Sequence, residues 1–178
     1  MTRNRLVVVA GGPGAGKTTL MEHLAGGAVT MHGDAARQII RSRCAAGLSL
    51  RPDTLTFAQS LLAMEIAERD EAIAREGEHL FERSVIDAPG MLKGCGGTPV
   101  DEIERIVQEN PNDLVFLATA WQDIYVDDVE RDEGFSHARR VGEQTRQWYQ
   151  RCGYDPIVLP LADVETRSGF VRSFLDAR

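Results

Sequence analysis

Five short apolar runs divide the chain. Leu6-Val7-Val8-Val9-Ala10 is unbroken and β-branched, the pattern of a strand buried on both faces. Ala28-Val29-Thr30-Met31, His79-Leu80-Phe81, Leu114-Val115-Phe116-Leu117-Ala118 and Ile157-Val158-Leu159 read as four further strands. Between them the apolar positions recur at helical spacing. Leu20, Leu24 and Ala25 line a segment from Thr19 to about Ala25, and Asp34 opens a helix running to about Ala46, as its N-cap or in its first turn. Asp53 or Thr54 caps a long helix to about Glu76, with the stripe Leu55, Ala58, Leu61, Leu62, Ile66 and Ile73, and Gly77 stops it. Val100–Gln108, Ser136–Cys152 and Val164–Ala177 complete the predicted helices. Gly47–Pro52 and the glycine-rich Gly90–Pro99 read as loops, and the acid-rich stretch from Trp121 to Phe135 as a mobile connection.

Strands alternating with helices predict an α/β fold: a single domain over residues 1–178, with a five-stranded parallel sheet covered on both faces. Ligands of such sheets sit beyond the carboxyl ends of the strands, so the residues that follow each strand become the candidates. After the first strand comes Gly11-Gly12-Pro13-Gly14-Ala15-Gly16-Lys17-Thr18, the G-x-x-x-x-G-K-[ST] pattern of a phosphate-binding loop, with Thr19 continuing into the helix. Glycines let consecutive N–H groups curl toward phosphate oxygens, and the helix N-terminus adds partial positive charge. Lys17 is a slim point charge suited to reach between the β- and γ-phosphates, and the Thr18 hydroxyl is suited to Mg²⁺. A strand before and a helix after make a chance glycine-rich turn a poor account of this run.

Composition sharpens one point. Of 20 basic residues only Lys17 and Lys93 are lysines, so the chain uses Arg almost everywhere except where the loop chemistry asks for Lys. The net charge of −7 and the absence of a dense basic run argue against a general nucleic-acid binder. The longest simple apolar run is far shorter than a membrane-spanning or signal segment needs, so a cytoplasmic protein with no membrane partner is expected. Three scattered cysteines, Cys44, Cys95 and Cys152, form no disulfide or zinc pattern, and the four histidines have no ligand spacing.

The remaining candidates each carry two readings. Asp34 follows the second strand as a base for an acceptor hydroxyl or as a helix cap. Arg37, one turn on, grips a substrate anion or pairs with an acid. Glu82 closes the third strand, either holding Mg²⁺ through water or pairing with an arginine. Arg83 contacts substrate or phosphate, or simply pairs with Glu82. Asp87 touches substrate or caps a turn before Pro89. Arg131, in a lid over about residues 121–137, stabilises the transferring phosphoryl or joins surface ion pairs.

Taken in order, Gly11–Thr18, Asp34-Ala35-Ala36-Arg37, Trp121-x-x-Ile124-Tyr125-x-x-Asp128-x-Glu130-Arg131 and Gly153-Tyr154 resemble the NadR-like P-loop ATPase/kinase family, which includes the Ttd14-like proteins. Phe81-Glu82-Arg83-Ser84 is similar to the E-R-S motif of deoxynucleoside kinases, where Glu and Arg flank the acceptor. Asp34 stands where the family usually has Glu, and Glu82-Arg83 where it usually has Asp-Arg. The resemblance implies an ATP- and Mg²⁺-dependent kinase acting on a hydroxyl of a small nucleoside-like acceptor, nicotinamide riboside or a relative. A regulatory ATPase or switch without an acceptor is the other reading. Binding to phosphoinositide surfaces, as in Ttd14-like proteins, runs against the net charge.

Overall fold

The computed structural model describes residues 4–25, 29–49, 52–95, 98–125 and 134–176. Its strands are β1 (Arg5–Gly11), β2 (Val29–His32), β3 (Glu78–Glu82), β4 (Leu114–Ala118) and β5 (Ile157–Val158). They form one sheet in the order β2-β3-β1-β4-β5, and every neighbouring pair is parallel. The helices are α1 (Lys17–Leu24), α2 (Ala35–Ala45), α3 (Thr54–Ile73), α4 (Asp87–Cys95), α5 (Val100–Glu109), α6 (Gly134–Arg151) and α7 (Val164–Asp176). This is the α/β fold expected from the alternation of patterns.

Burial on both faces explains why β1 carries no polar side chain between Leu6 and Ala10. Val7 and Val9 point into a core with Leu20 and Leu24 of α1 and Val171 and Leu175 of α7. Leu6, Val8 and Ala10 point the other way, against Ala72 of α3, Ile86 and Tyr149 of α6. A third cluster, Ala35, Ile39, Leu61 and Ala88, joins α2, α3 and α4. The switch in strand order falls at β1: the chain leaves β1 for β2 toward one edge of the sheet and leaves the neighbouring β4 for β5 toward the other. The crevice at this point opens over the end of β1, where the loop Gly11–Gly16 lies.

One prediction is corrected here. Residues 90–99 are not simply a loop, because Asp87–Cys95 is a helix. Ser84 and Asp87 form a reciprocal cap: Asp87 Oδ2 accepts from the Ser84 N–H at 2.8 Å, and Ser84 Oγ accepts from the Ile86 N–H at 3.2 Å. The S-x-x-D spacing of Ser84-Val85-Ile86-Asp87 was available in the sequence and outweighs the glycines that follow. Gly90 lies inside this helix because Trp148 packs on it, so that a Cβ there would stand 3.1 Å from the indole ring. Lys93 is exposed over the same indole, 5.5 Å from a ring centroid.

A histidine pair ties β2 to β3. His79 is fully buried, and its Nε2 can only donate to the Arg75 carbonyl at 3.1 Å, which leaves Nδ1 to accept from His32 Nε2–H at 3.1 Å. The His32 ring stacks on Phe81, with centroids 4.2 Å apart. Burial, then the neighbouring His79 and Arg75, pull the His32 pKa down to about 4, with Glu71 opposing. The unfolded chain therefore takes up this proton first, and the pair's contribution is full above about pH 6.5 and lost as pH falls toward 4. Urea midpoints measured from pH 7 to pH 4.5 should fall for the native sequence, and should fall less steeply for His32→Gln.

Candidate active site

The loop after β1 is shaped by two close approaches. Gly16 adopts φ 73°, a left-handed conformation that starts α1, and a Cβ there would lie 2.8 Å from Arg167 Nη1. A Cβ on Gly12 would run into the Ala138 carbonyl of α6. Arg167 reaches from α7 to donate to the Ala15 carbonyl at 3.1 Å. Helices remote in sequence thus clamp the loop from two sides. Arg167 and the α6 contact were not among the sequence candidates. An isolated Gly142 in the polar α6, lying against Gly12, is the only trace they leave in the sequence.

Lys17, Thr18 and Glu82 meet where β1 and β3 end. Lys17 is 5% exposed; its Nζ donates to the Gly12 carbonyl at 2.9 Å and stands 3.8 Å from Glu82 Oε1. The Thr18 hydroxyl donates to Glu82 Oε2 at 2.8 Å. Parallel pairing of Val9 with Glu82 is what sets this carboxylate beside the loop. Burial, followed by the nearby Arg83, pushes the Lys17 ammonium down to about 8, while Glu82, Asp34 and Asp87 pull the other way. A phosphate arriving at the loop favours the charged form and reverses that shift. The Thr18 hydroxyl and the Glu82 carboxylate are hard oxygen donors side by side, a set that suits Mg²⁺.

Beyond Glu82 the chain turns sharply. Arg83 has φ 75°, the one non-glycine residue with positive φ among those described. Its N–H still bonds to the Val9 carbonyl at 3.3 Å, and its Nε stands 3.9 Å from Asp34 Oδ1. Burial opposes the charge of this guanidinium, but Asp34, Asp87, Glu65 and Glu82 together outweigh it and raise its pKa. Asp34 takes the helix-cap part expected of it, and its carboxylate also lies beside two arginines. It caps α2 by accepting from the Arg37 N–H at 3.3 Å, and it faces Arg83 and, at 3.6 Å, Arg37 Nε.

Asp87 is tied into the protein through its Oδ2. Besides capping Ser84, its Oδ2 accepts from the Tyr149 hydroxyl at 2.6 Å, and that hydroxyl lies 2.9 Å from Ser84 Oγ. Asn112 adds Nδ2–H to Ser84 Oγ at 3.2 Å. This network holds the turn that follows Arg83. Arg131 and most of the expected lid lie outside the described residues. At the ends of that stretch, the Tyr125 and Phe135 rings pack edge to face with centroids 5.4 Å apart. The Trp121 indole donates to Asp123 Oδ2 at 3.0 Å.

The chain matches the family described as an AAA domain over residues 6–167. No curated protein matches the sequence. Among solved structures, it is similar to a deoxyadenosine kinase from M. mycoides with dCMP products and a flexible dCDP bound, at TM-score 0.69 and 14% identity, over 97% of this chain and 99% of that one. A thymidylate kinase from Ehrlichia chaffeensis matches at TM-score 0.63 and 16% identity, over 97% and 98% of the two chains. The NadR protein in complex with NR matches at 0.66 and 15%, over 97% of this chain and 51% of that one. The fold is therefore the one these P-loop kinases share.

The Tyr149 network yields a direct test. Tyr149→Phe removes a hydrogen bond to a carboxylate and leaves Ser84 Oγ one partner short, which should cost about 1.5–3 kcal/mol in urea unfolding at pH 7. A change below about 0.5 kcal/mol would mean the network does not hold the turn.

Proposed function

The chain belongs to the AAA domain family, and from that premise we propose that it is an ATP-dependent phosphotransferase acting on a hydroxyl of a small nucleoside-like acceptor. The observation that carries this reading is the convergence of two functional groups at adjacent strand ends. Lys17, Thr18 and Glu82 make the phosphate and metal half, with Thr18 Oγ1 and Glu82 Oε2 2.8 Å apart. Asp34, Arg37 and Arg83 make the acceptor half, with both arginines facing Asp34 within 4 Å. A bare ATPase has no need of the second half.

In this mechanism the backbone N–H groups of Gly12, Pro13-Gly14, Ala15, Gly16, Lys17, Thr18 and Thr19 line the phosphate cradle, proline contributing only its fixed backbone. Lys17 neutralises charge on the β- and γ-phosphates. Thr18 and Glu82 hold Mg²⁺, which when bound offsets phosphate charge. Arg37 and Arg83 orient the acceptor, and Asp34 receives the proton of its hydroxyl. One O–H bond breaks, an O–P bond forms to the γ-phosphorus, and the bond from that phosphorus to ADP breaks. Such a transition state needs little covalent help, so positioning and charge compensation are the protein's work. Arg131 is assigned to the transferring phosphoryl on sequence grounds alone.

The test is ADP release from ATP and Mg²⁺ against nucleosides, nicotinamide riboside and other hydroxylated metabolites. At least one acceptor should raise the rate strongly, and Lys17→Ala should lower the acceptor-dependent rate by at least about 100-fold. Slow turnover that no acceptor changes would overturn the kinase reading and favour a regulatory ATPase.

A further inference from the structure

Glu65 of α3 is a buried carboxyl that belongs to neither half of the site described above. It is 5% exposed, and neither carboxyl oxygen has a hydrogen-bond partner among the described residues. Buried carboxyls nearly always accept hydrogen bonds, because leaving one unpaired in a protein interior costs several kcal/mol. A leucine at this point on the apolar face of α3, between the buried Leu61 and Arg69, would avoid that cost. The carboxyl also faces the groups placed in the acceptor half. It lines one narrow cleft with Gly33, Glu68, Arg69, Glu82 and Arg83, a cleft with room for about one water. Burial, followed by Asp87, raises the Glu65 pKa well above the carboxylate range, with Arg83 opposing.

The charges around this cleft restrict what can enter it. Arg69 donates to the Pro111 carbonyl at 2.7 Å, and Arg83 is already surrounded by carboxylates. An incoming phosphate or carboxylate would meet Glu65, Glu68 and Glu82, with Arg69 held by the Pro111 carbonyl and only the buried Nε of Arg83 without a hydrogen-bond partner among the described residues. An incoming cation would be pressed against Arg69 and Arg83. An uncharged O–H or N–H group suffers neither penalty, and a group of that size fits the space.

We propose that Glu65 is a specificity-determining residue of the acceptor cleft: its unpartnered carboxyl takes an O–H or N–H of an uncharged acceptor and disfavours one that already bears a phosphate. This rests on the phosphotransferase reading and narrows it to nucleosides over nucleotides.

Steady-state kinetics with paired nucleosides and their 5′-monophosphates, alongside thermal melting, test it in the native protein, Glu65→Gln and Glu65→Leu. The native protein should prefer the nucleoside. Glu65→Leu should raise the acceptor KM about 10- to 100-fold, with a smaller effect on kcat, and reduce the preference over the monophosphate. Glu65→Gln, which keeps a donor and an acceptor but no charge, should retain more of the nucleoside affinity. Glu65→Leu should melt no lower than the native protein. An unchanged acceptor KM and preference in Glu65→Leu would overturn the assignment while leaving the phosphotransferase intact. So would a melting temperature lowered by several degrees, since the carboxyl would then be holding the fold. A native protein that prefers the monophosphate also overturns it. A native protein with no acceptor-dependent ADP release overturns the phosphotransferase reading, and this inference falls with it.

Discussion

Arg83 is the point at which strain, charge and topology meet. A left-handed backbone costs a non-glycine residue about 1–2 kcal/mol, and burying a guanidinium costs more. Both are tolerated because Asp34, Asp87 and Glu82 surround the charge and the Val9 carbonyl holds the N–H. Once that turn is fixed, β3 ends with Glu82 facing the phosphate loop and α4 begins three residues after Ser84. A chain that continued straight past Glu82 would carry its next side chains away from Lys17.

The supports of this turn lie in distant parts of the sequence. Asp34 arrives at the start of α2, and Tyr149 from the end of α6. Each belongs to a helix whose apolar side is buried against the sheet or its neighbours, so helix packing delivers the polar groups. The two sides of the phosphate loop are set the same way, by Arg167 from α7 and by the backbone of α6 against Gly12. Site geometry and core packing are therefore one problem here. Loosening α6 would disturb both the loop and the Arg83 turn.

The charge balance of the site differs from that of a plain anion pocket. Lys17 and Arg83 are ringed by acids. Such a site holds its cations ready but leaves little uncompensated positive charge for a second anion. Phosphate is welcome where backbone N–H groups and a helix N-terminus add to Lys17, and much less so at Arg83, several carboxylates away.

What the sequence determined by itself was whatever rests on local pattern. The five apolar runs, the helical stripes and the glycine-lysine loop were legible because strand burial, helix period and phosphate chemistry each leave a signature over a few residues. Glu82 and Asp34 stood out for the same reason, since each follows a strand. The capped helix Asp87–Cys95 was also written locally, in Ser84-x-x-Asp87, but its glycines masked it. Only the tertiary structure decided which polar groups face one another. Helical spacing from Ala58 and Leu61 sets Glu65 on the buried face of α3 but does not say what it faces, and nothing near Tyr149 announces a bond to Asp87. Hydrogen bonds and desolvation depend on what surrounds a side chain in space, and those surroundings come from elements distant in the chain, as with Tyr149 and Asp87, 62 residues apart.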